Sequence, residues 1–260
     1  MEKGEKLISP AIFSVNCFYL ATIFYGVSLI FFLISKRKLS IFIFSLAFFL
    51  HTLSQISRAF FTGNLIVRPI FGEPFFLPWC IALFSLTIIF CLKREKEGSS
   101  IVFLIFSLCL VALLLPKGIS PPFLKSKTIF ADLFFLFEVM AHASFGVGAW
   151  LSLLFILGKS PREDRLFSYF IIWGFAFYTV AQVVGAVWAY LGWSSPFMWS
   201  DRHLQSVVVW LYYSCFLHLF LLKEWNLKKR AYFGLSGFVL VLFFIYFSQI
   251  SEMHIPRLGW

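Results

Sequence analysis

Five histidines are the residues of this 260-residue chain best suited to chemistry: His51, His142, His203, His218 and His254. His51, His142 and His218 fall inside long apolar runs, His203 opens one, and His254 follows the last. An ionisable side chain at membrane depth is costly and marks a functional site by default. For imidazole the uses are metal ligation, proton carriage or a structural hydrogen bond, and several His at depth favour ligation. Bare zinc or copper sites draw Cys or carboxylate beside His at close spacing, and the sequence shows no such cluster. A haem asks for less: one or two axial His, a flat aromatic or apolar wall, and a cation for the propionates. Arg58 follows His51 by seven residues, which on a helix puts it on the same face about 10 Å away, roughly the reach from haem iron to a propionate. Gln55 and Ser214 lie one turn from His51 and His218. Gly146 and Gly148, near His142, either admit a flat ligand or only let helices approach closely.

The elements that must carry these residues are helices in a bilayer. Hydrophobic types make up 60% of the chain and charged types 13%, about half the charge of a soluble protein. That excludes a soluble globular enzyme and a disordered tail. Aromatics reach 21%, with 37 Phe. Lipid cannot satisfy an exposed backbone, so the fold class expected is all-α, a polytopic membrane protein. Apolar runs bounded by charge or Pro/Gly clusters predict about eight spans near 11–34, 39–61, 75–92, 100–116, 133–157, 166–191, 204–222 and 233–250. The first is read as a retained span, because it is long and lacks a cleavage site. No soluble domain or repeat stands out, so residues 1–260 read as one transmembrane domain.

The net charge of +10 reads as topology, not as nucleic-acid binding. Alternate loops hold Lys36 to Lys38, Lys93 to Lys96, Lys159 to Arg165 and Lys223 to Arg230, together 13 of the 22 basic residues. The positive-inside rule then places both termini outside. Cys17, Cys80, Cys91, Cys109 and Cys215 all lie in apolar stretches without a C-x-x-C, so neither a disulfide framework nor a thiol relay is expected.

One external loop, 186–203, is unusual. It carries Trp188, Trp193 and Trp199, then Ser200-Asp201-Arg202-His203. An interfacial aromatic belt explains one or two Trp, and explains less well three Trp followed by a polar cluster. This loop resembles the tryptophan-rich WWD signature of cytochrome c assembly proteins of the CcsA/ResC type. Gly185, Trp188, Ala189, Trp193 and Trp199 fall at matching positions, as do Trp210 and Leu217-His218. Leu50-His51-Thr52-Leu53 with Arg58 resembles the family's early L-H-T-L element. Ala141-His142-Ala143-Ser144 is similar to its H-x-S element, and Met253-His254 with Gly259-Trp260 to its C-terminal element.

The resemblance implies haem b held as cargo, with His51 and His218 as an intramembrane axial pair and His142 and His254 as an external pair. It implies Trp188, Trp193 and Trp199 along the haem edge, and Arg58, Arg68 or Arg202 on propionates. It further implies a CcsB/ResB-type partner, an apocytochrome c with C-x-x-C-H thiols, and a bacterial-type plasma membrane with the loop on the external, periplasmic side. On this reading the chain would be a subunit of a haem lyase. The loop departs from the family pattern: Phe197 replaces a Trp, and Ser200 stands where the family has Asp, with Asp201 one residue on to take the acid role by a one-residue slip and Arg202 the basic one. Two other readings stay open. One is a HemX-like regulatory relative without ligation activity. The other is a secondary transporter, which the scarcity of acids in the spans disfavours, Glu138 being the exception.

Overall fold

The computed structural model describes residues 2–62, 69–115, 128–159, 165–222 and 224–247. Every regular element among them is helical. The helices are α1 (Glu2–Leu33), α2 (Arg37–Thr62), α3 (Pro69–Phe90), α4 (Glu95–Ser100), α5 (Val102–Leu113), α6 (Ile129–Ile156), α7 (Leu166–Trp193), α8 (Asp201–His218) and α9 (Leu227–Phe247). A 3-10 turn, Leu219–Leu221, follows α8. Among the described residues, seven stretches are long and apolar enough to cross a membrane, α4 and α5 together counting as one. They match seven of the eight predicted spans. The remaining one corresponds to α8, which has 18 residues but opens with Asp201-Arg202-His203 and so falls short in hydropathy.

Helix ends follow local chemistry. Thr128 caps α6 by accepting the Ala131 N–H at 3.2 Å, and Asp132 sits in the first turn, where a negative charge favours the helix dipole. Gly158 ends the same helix at φ +66°, the left-handed conformation glycine adopts without a Cβ penalty. The Lys159 N–H then returns to the Leu154 carbonyl at 2.9 Å.

The described helices form two compact units, α1–α5 and α6–α9. In the first, α1 and α2 are an antiparallel pair locked near both ends by reciprocal serines. Ser14 Oγ donates to the Ser54 carbonyl at 2.9 Å, and Ser54 Oγ donates to the Ser14 carbonyl at 2.7 Å. Ser28 and Ser40 repeat the exchange, both at 2.9 Å. In an apolar medium such bonds align helices that hydrophobicity alone cannot orient.

In the second unit α6 is the central helix, with 72% of its apolar window buried against 22% for α7. The small residues Ala141, Ala143, Ser144, Gly146, Gly148 and Ala149 allow this. A Cβ on Gly148 would lie 2.7 Å from Ile171 and 3.1 Å from the Phe167 carbonyl, both on α7. Gly148 therefore serves helix approach, one of the two roles open to it from the sequence. Phe145 stacks on Tyr213 of α8 with centroids 3.5 Å apart and planes 3° from parallel. Glycines flank this ring pair: a Cβ on Gly174 would meet Phe145 at 2.6 Å, and one on Gly237 would meet the Tyr213 hydroxyl at 2.9 Å.

Candidate functional site

His51 is fully buried on α2. It faces α3, a helix that contains two prolines, Pro74 and Pro78. The Phe75 carbonyl of α3 accepts the His51 Nε2–H at 3.0 Å and the Gln55 Nε2–H at 3.1 Å. With the proton on Nε2, Nδ1 is the acceptor facing the Tyr25 hydroxyl at 3.5 Å. Phe18 packs edge-on against the imidazole at 5.3 Å. Arg58 is also buried, with its guanidinium 4.7 Å above the Phe75 ring. Ser14, Ser54, Phe18, Arg58 and Phe75 line a cavity of about 10 Å³, room for roughly one water. Next along the motif, Thr52 accepts the Trp79 indole N–H at 2.8 Å, and Trp79 stacks between Phe48 and Phe76.

His218 presents the opposite picture. It is the last residue of α8 and is exposed, and its Nδ1–H donates to the Ser214 carbonyl at 2.8 Å. That bond fixes the tautomer, so Nε2 carries the lone pair. A second bond of this kind is how proteins set which imidazole nitrogen ligates a metal.

His142 is buried on α6, with its ring 5.6 Å from that of Tyr178 on α7. One turn before it lies Glu138, buried as well. Glu138 Oε2 accepts a bond from Arg202 Nη2 at 2.8 Å, an ion pair between α6 and the start of α8. The Arg202 guanidinium also covers the rings of Phe134 and Phe135, at 5.7 and 5.5 Å. Trp188 packs on the same two rings, at 5.9 and 5.6 Å. Gly185 lets the Phe134 ring lie against α7, since a Cβ there would meet it at 2.8 Å. The motif positions Gly185 and Trp188 thus meet one α6 platform.

The rest of the Trp-rich loop is open. Trp193 touches Trp188 edge-on at 5.6 Å, and Trp199, 86% exposed, touches Phe197 at 5.3 Å. Ser194 ends α7 in the left-handed conformation. Asp201 is the exposed first residue of α8, where its charge suits the helix dipole. Ser200, just before it, bonds His203 Nδ1 at 2.9 Å. Partial burial and the adjacent Arg202 hold the His203 imidazole below its ordinary value.

The structure therefore brings Trp188, Arg202 and the His142 turn of α6 into one neighbourhood, and gives His51 and Arg58 a common partner in Phe75, His51 at its carbonyl and Arg58 at its ring. His254 and Arg68 lie outside the described residues. Sequence reading missed Tyr25, the Phe75 carbonyl, Trp79 and Tyr178. None of them carries a local sign in the sequence.

A family model described as Cytochrome C assembly protein matches residues 5–255. Cytochrome c biogenesis protein CcsA of Chlamydomonas reinhardtii is 28% identical over 211 residues, 70% of this chain and 57% of that protein. CcsA of Cyanophora paradoxa is 29% identical over 107 residues, 41% of this chain and 33% of the relative. A solved structure, cytochrome c heme lyase CcmF, superimposes with a TM-score of 0.69 at 13% identity, over 94% of this chain and 52% of that one. This last likeness is one of fold. The chain spans between a third and three fifths of the length of these proteins.

Proposed function

Because the chain belongs to the cytochrome c assembly protein family, we propose that it handles haem for cytochrome c biogenesis as a multi-pass membrane protein. Haem is cargo in this reading. His51 and His218 are its axial ligands within the membrane, and His142 and His254 its ligands at the external side. There Trp188, Trp193 and Trp199 flank it for thioether formation with the thiols of a C-x-x-C-H apocytochrome, alongside a CcsB/ResB-type partner. The protein's contribution is positioning.

One observation carries the reading beyond family membership. His218 is exposed, and its Nδ1–H is committed to Ser214, which leaves Nε2 as the ligating nitrogen. The donor set fits haem elsewhere with one condition. A planar cargo needs several hundred Å³, far more than the small cavity beside Arg58. Ligation by His51 therefore requires its ring to leave the Phe75 carbonyl. Gln55 already donates to that oxygen, so the carbonyl keeps a partner when His51 turns away, and the cost of an orphaned acceptor is avoided.

With α8 crossing from about Leu204 as the eighth span, both termini face outside and the Trp-rich loop is external. From Leu204 to His218 the helix rises about 22 Å, and the 3-10 turn brings the span to about 28 Å, close to the hydrocarbon thickness. The regulatory reading draws on Ser200, a neutral hydroxyl bonded to His203 where the family has an acid.

The test is an optical spectrum of the detergent-purified protein from haem-replete cells, oxidised and dithionite-reduced. Sharp reduced bands of bis-His haem are expected, weakened in His142→Ala and separately in His218→Ala. Wild-type spectra in both variants would overturn the ligand assignment. Complementation of a synthase-null strain separates ligation from regulation.

A further inference from the structure

The ion pair of Glu138 and Arg202 has a consequence for how cargo is held and released. Arg202 is the loop's cation, standing beside Trp188 on the Phe134 and Phe135 platform. A free arginine there would grip a ligand carboxylate strongly, since charge-assisted bonds to guanidinium are about twice as strong as neutral ones. This arginine is not free. Glu138 Oε2 sits 2.8 Å from Nη2, and the pair is formally neutral. The two partners differ in access: the Glu138 side chain is 6% exposed and that of Arg202 46%. The carboxylate is built into α6 one turn from His142, while the guanidinium faces outward at the start of α8.

We propose that Glu138 and Arg202 form a shared carboxylate site, in which Glu138 weakens the hold of Arg202 on the carboxylates of a planar cargo so that the cargo is exchangeable. A ligand carboxylate reaching Arg202 must share one guanidinium with a buried like charge. Two carboxylates within about 5 Å repel by enough to shorten residence roughly tenfold or more at the dielectric of a protein surface. A cargo that must be passed on calls for such a site; a resident cofactor does not. Glu138 is thus a positioning residue acting through Arg202. The inference rests on the haem reading above and assigns a role to an acid that this reading leaves unused.

The experiment measures loss of bound ligand from the purified full chain into excess apomyoglobin, by stopped-flow absorbance. Two probes are used: iron protoporphyrin IX, and its dimethyl ester, in which both propionates are capped. Glu138→Gln keeps a bond acceptor for Arg202 but removes the charge. It is expected to slow haem loss about tenfold and to leave loss of the ester unchanged. Arg202→Gln should release haem as fast as the ester. A measurement on the unaltered chain stands beside these should a variant fail to fold: haem should leave a few-fold more slowly than the ester. Equal rates for the two probes in the wild type would overturn the proposal. So would E138Q releasing haem at the wild-type rate or faster, or slowing both probes alike, because a purely structural role predicts no dependence on the carboxylates. Failure of the wild type to take up either probe would overturn the haem reading, and this proposal with it.

Discussion

Replacing Gly174 by alanine is the most direct test of how α6 is held at the level of His142. The added Cβ would lie 2.6 and 2.7 Å from two carbons of the Phe145 ring and 3.2 Å from the Ala141 carbonyl. Carbon pairs rest at about 3.5 Å or more, so something must move by roughly 0.9 Å. A flexible side chain would yield at little cost, but Phe145 is not flexible. Its ring is stacked on Tyr213 at 3.5 Å, and the Tyr213 hydroxyl is backed by Gly237. The strain therefore passes to the α6–α7 spacing, beside the contact of His142 with Tyr178, which lies one turn beyond Gly174. Overpacking of this kind costs about 2 kcal/mol, which for a chain of this size lowers the melting temperature by roughly 5 °C. A control comes from the same helix. No atom lies within 4 Å of a Cβ at Gly192, so Gly192→Ala gains helix propensity and is expected to be neutral or stabilising by up to about 1 kcal/mol. Melts of both variants in the same detergent decide the matter. If G174A melts at or above the wild type, or if the two variants shift the same way, the packing argument is wrong.

Two further predictions concern the reciprocal serines and the loop. Ser14→Ala and Ser54→Ala should each cost about 1 kcal/mol, and the double variant less than the sum, because the two hydroxyls also meet each other at 3.3 Å and belong to one network; denaturation free energies unchanged in all three would refute the lock. His203 is held below its ordinary value by burial and then by Arg202, so the fold favours its neutral form. Its contribution is full above the unfolded value of about 6.5 and is lost as pH falls below it. The melting temperature of the wild type should therefore decline between about pH 7 and 5 more steeply than that of His203→Gln, and parallel declines would contradict the assignment.

What the sequence determined by itself was local. Runs of apolar residues placed the spans, because a span must satisfy its own backbone inside lipid, and seven of them appear as such, although α1, α3 and α9 begin six to nine residues before the expected starts. Spacing along a helix is equally local, so the face shared by His51, Gln55 and Arg58 was legible. So was the Trp-rich loop, whose residues stand out by type. Even α8 was legible as an element, though its polar first turn puts it below the hydropathy of the others.

Tertiary structure decided which of these groups is engaged and with what. His51 meets the carbonyl of Phe75, 24 residues away, only because α3 packs on α2 at that level. Arg202 meets Glu138 across 64 residues, which turns an expected free cation into half of a neutral pair. Gly148 stands near His142 in sequence, as a ligand-admitting glycine would, but its missing Cβ faces α7. Two histidines with similar motif contexts, His51 and His218, end in opposite states, one enclosed and one presented. The reason is common to all four. Periodicity and composition act within one helix, whereas a side chain's partner is set by which helix packs against it, a choice made by packing and desolvation over the whole unit.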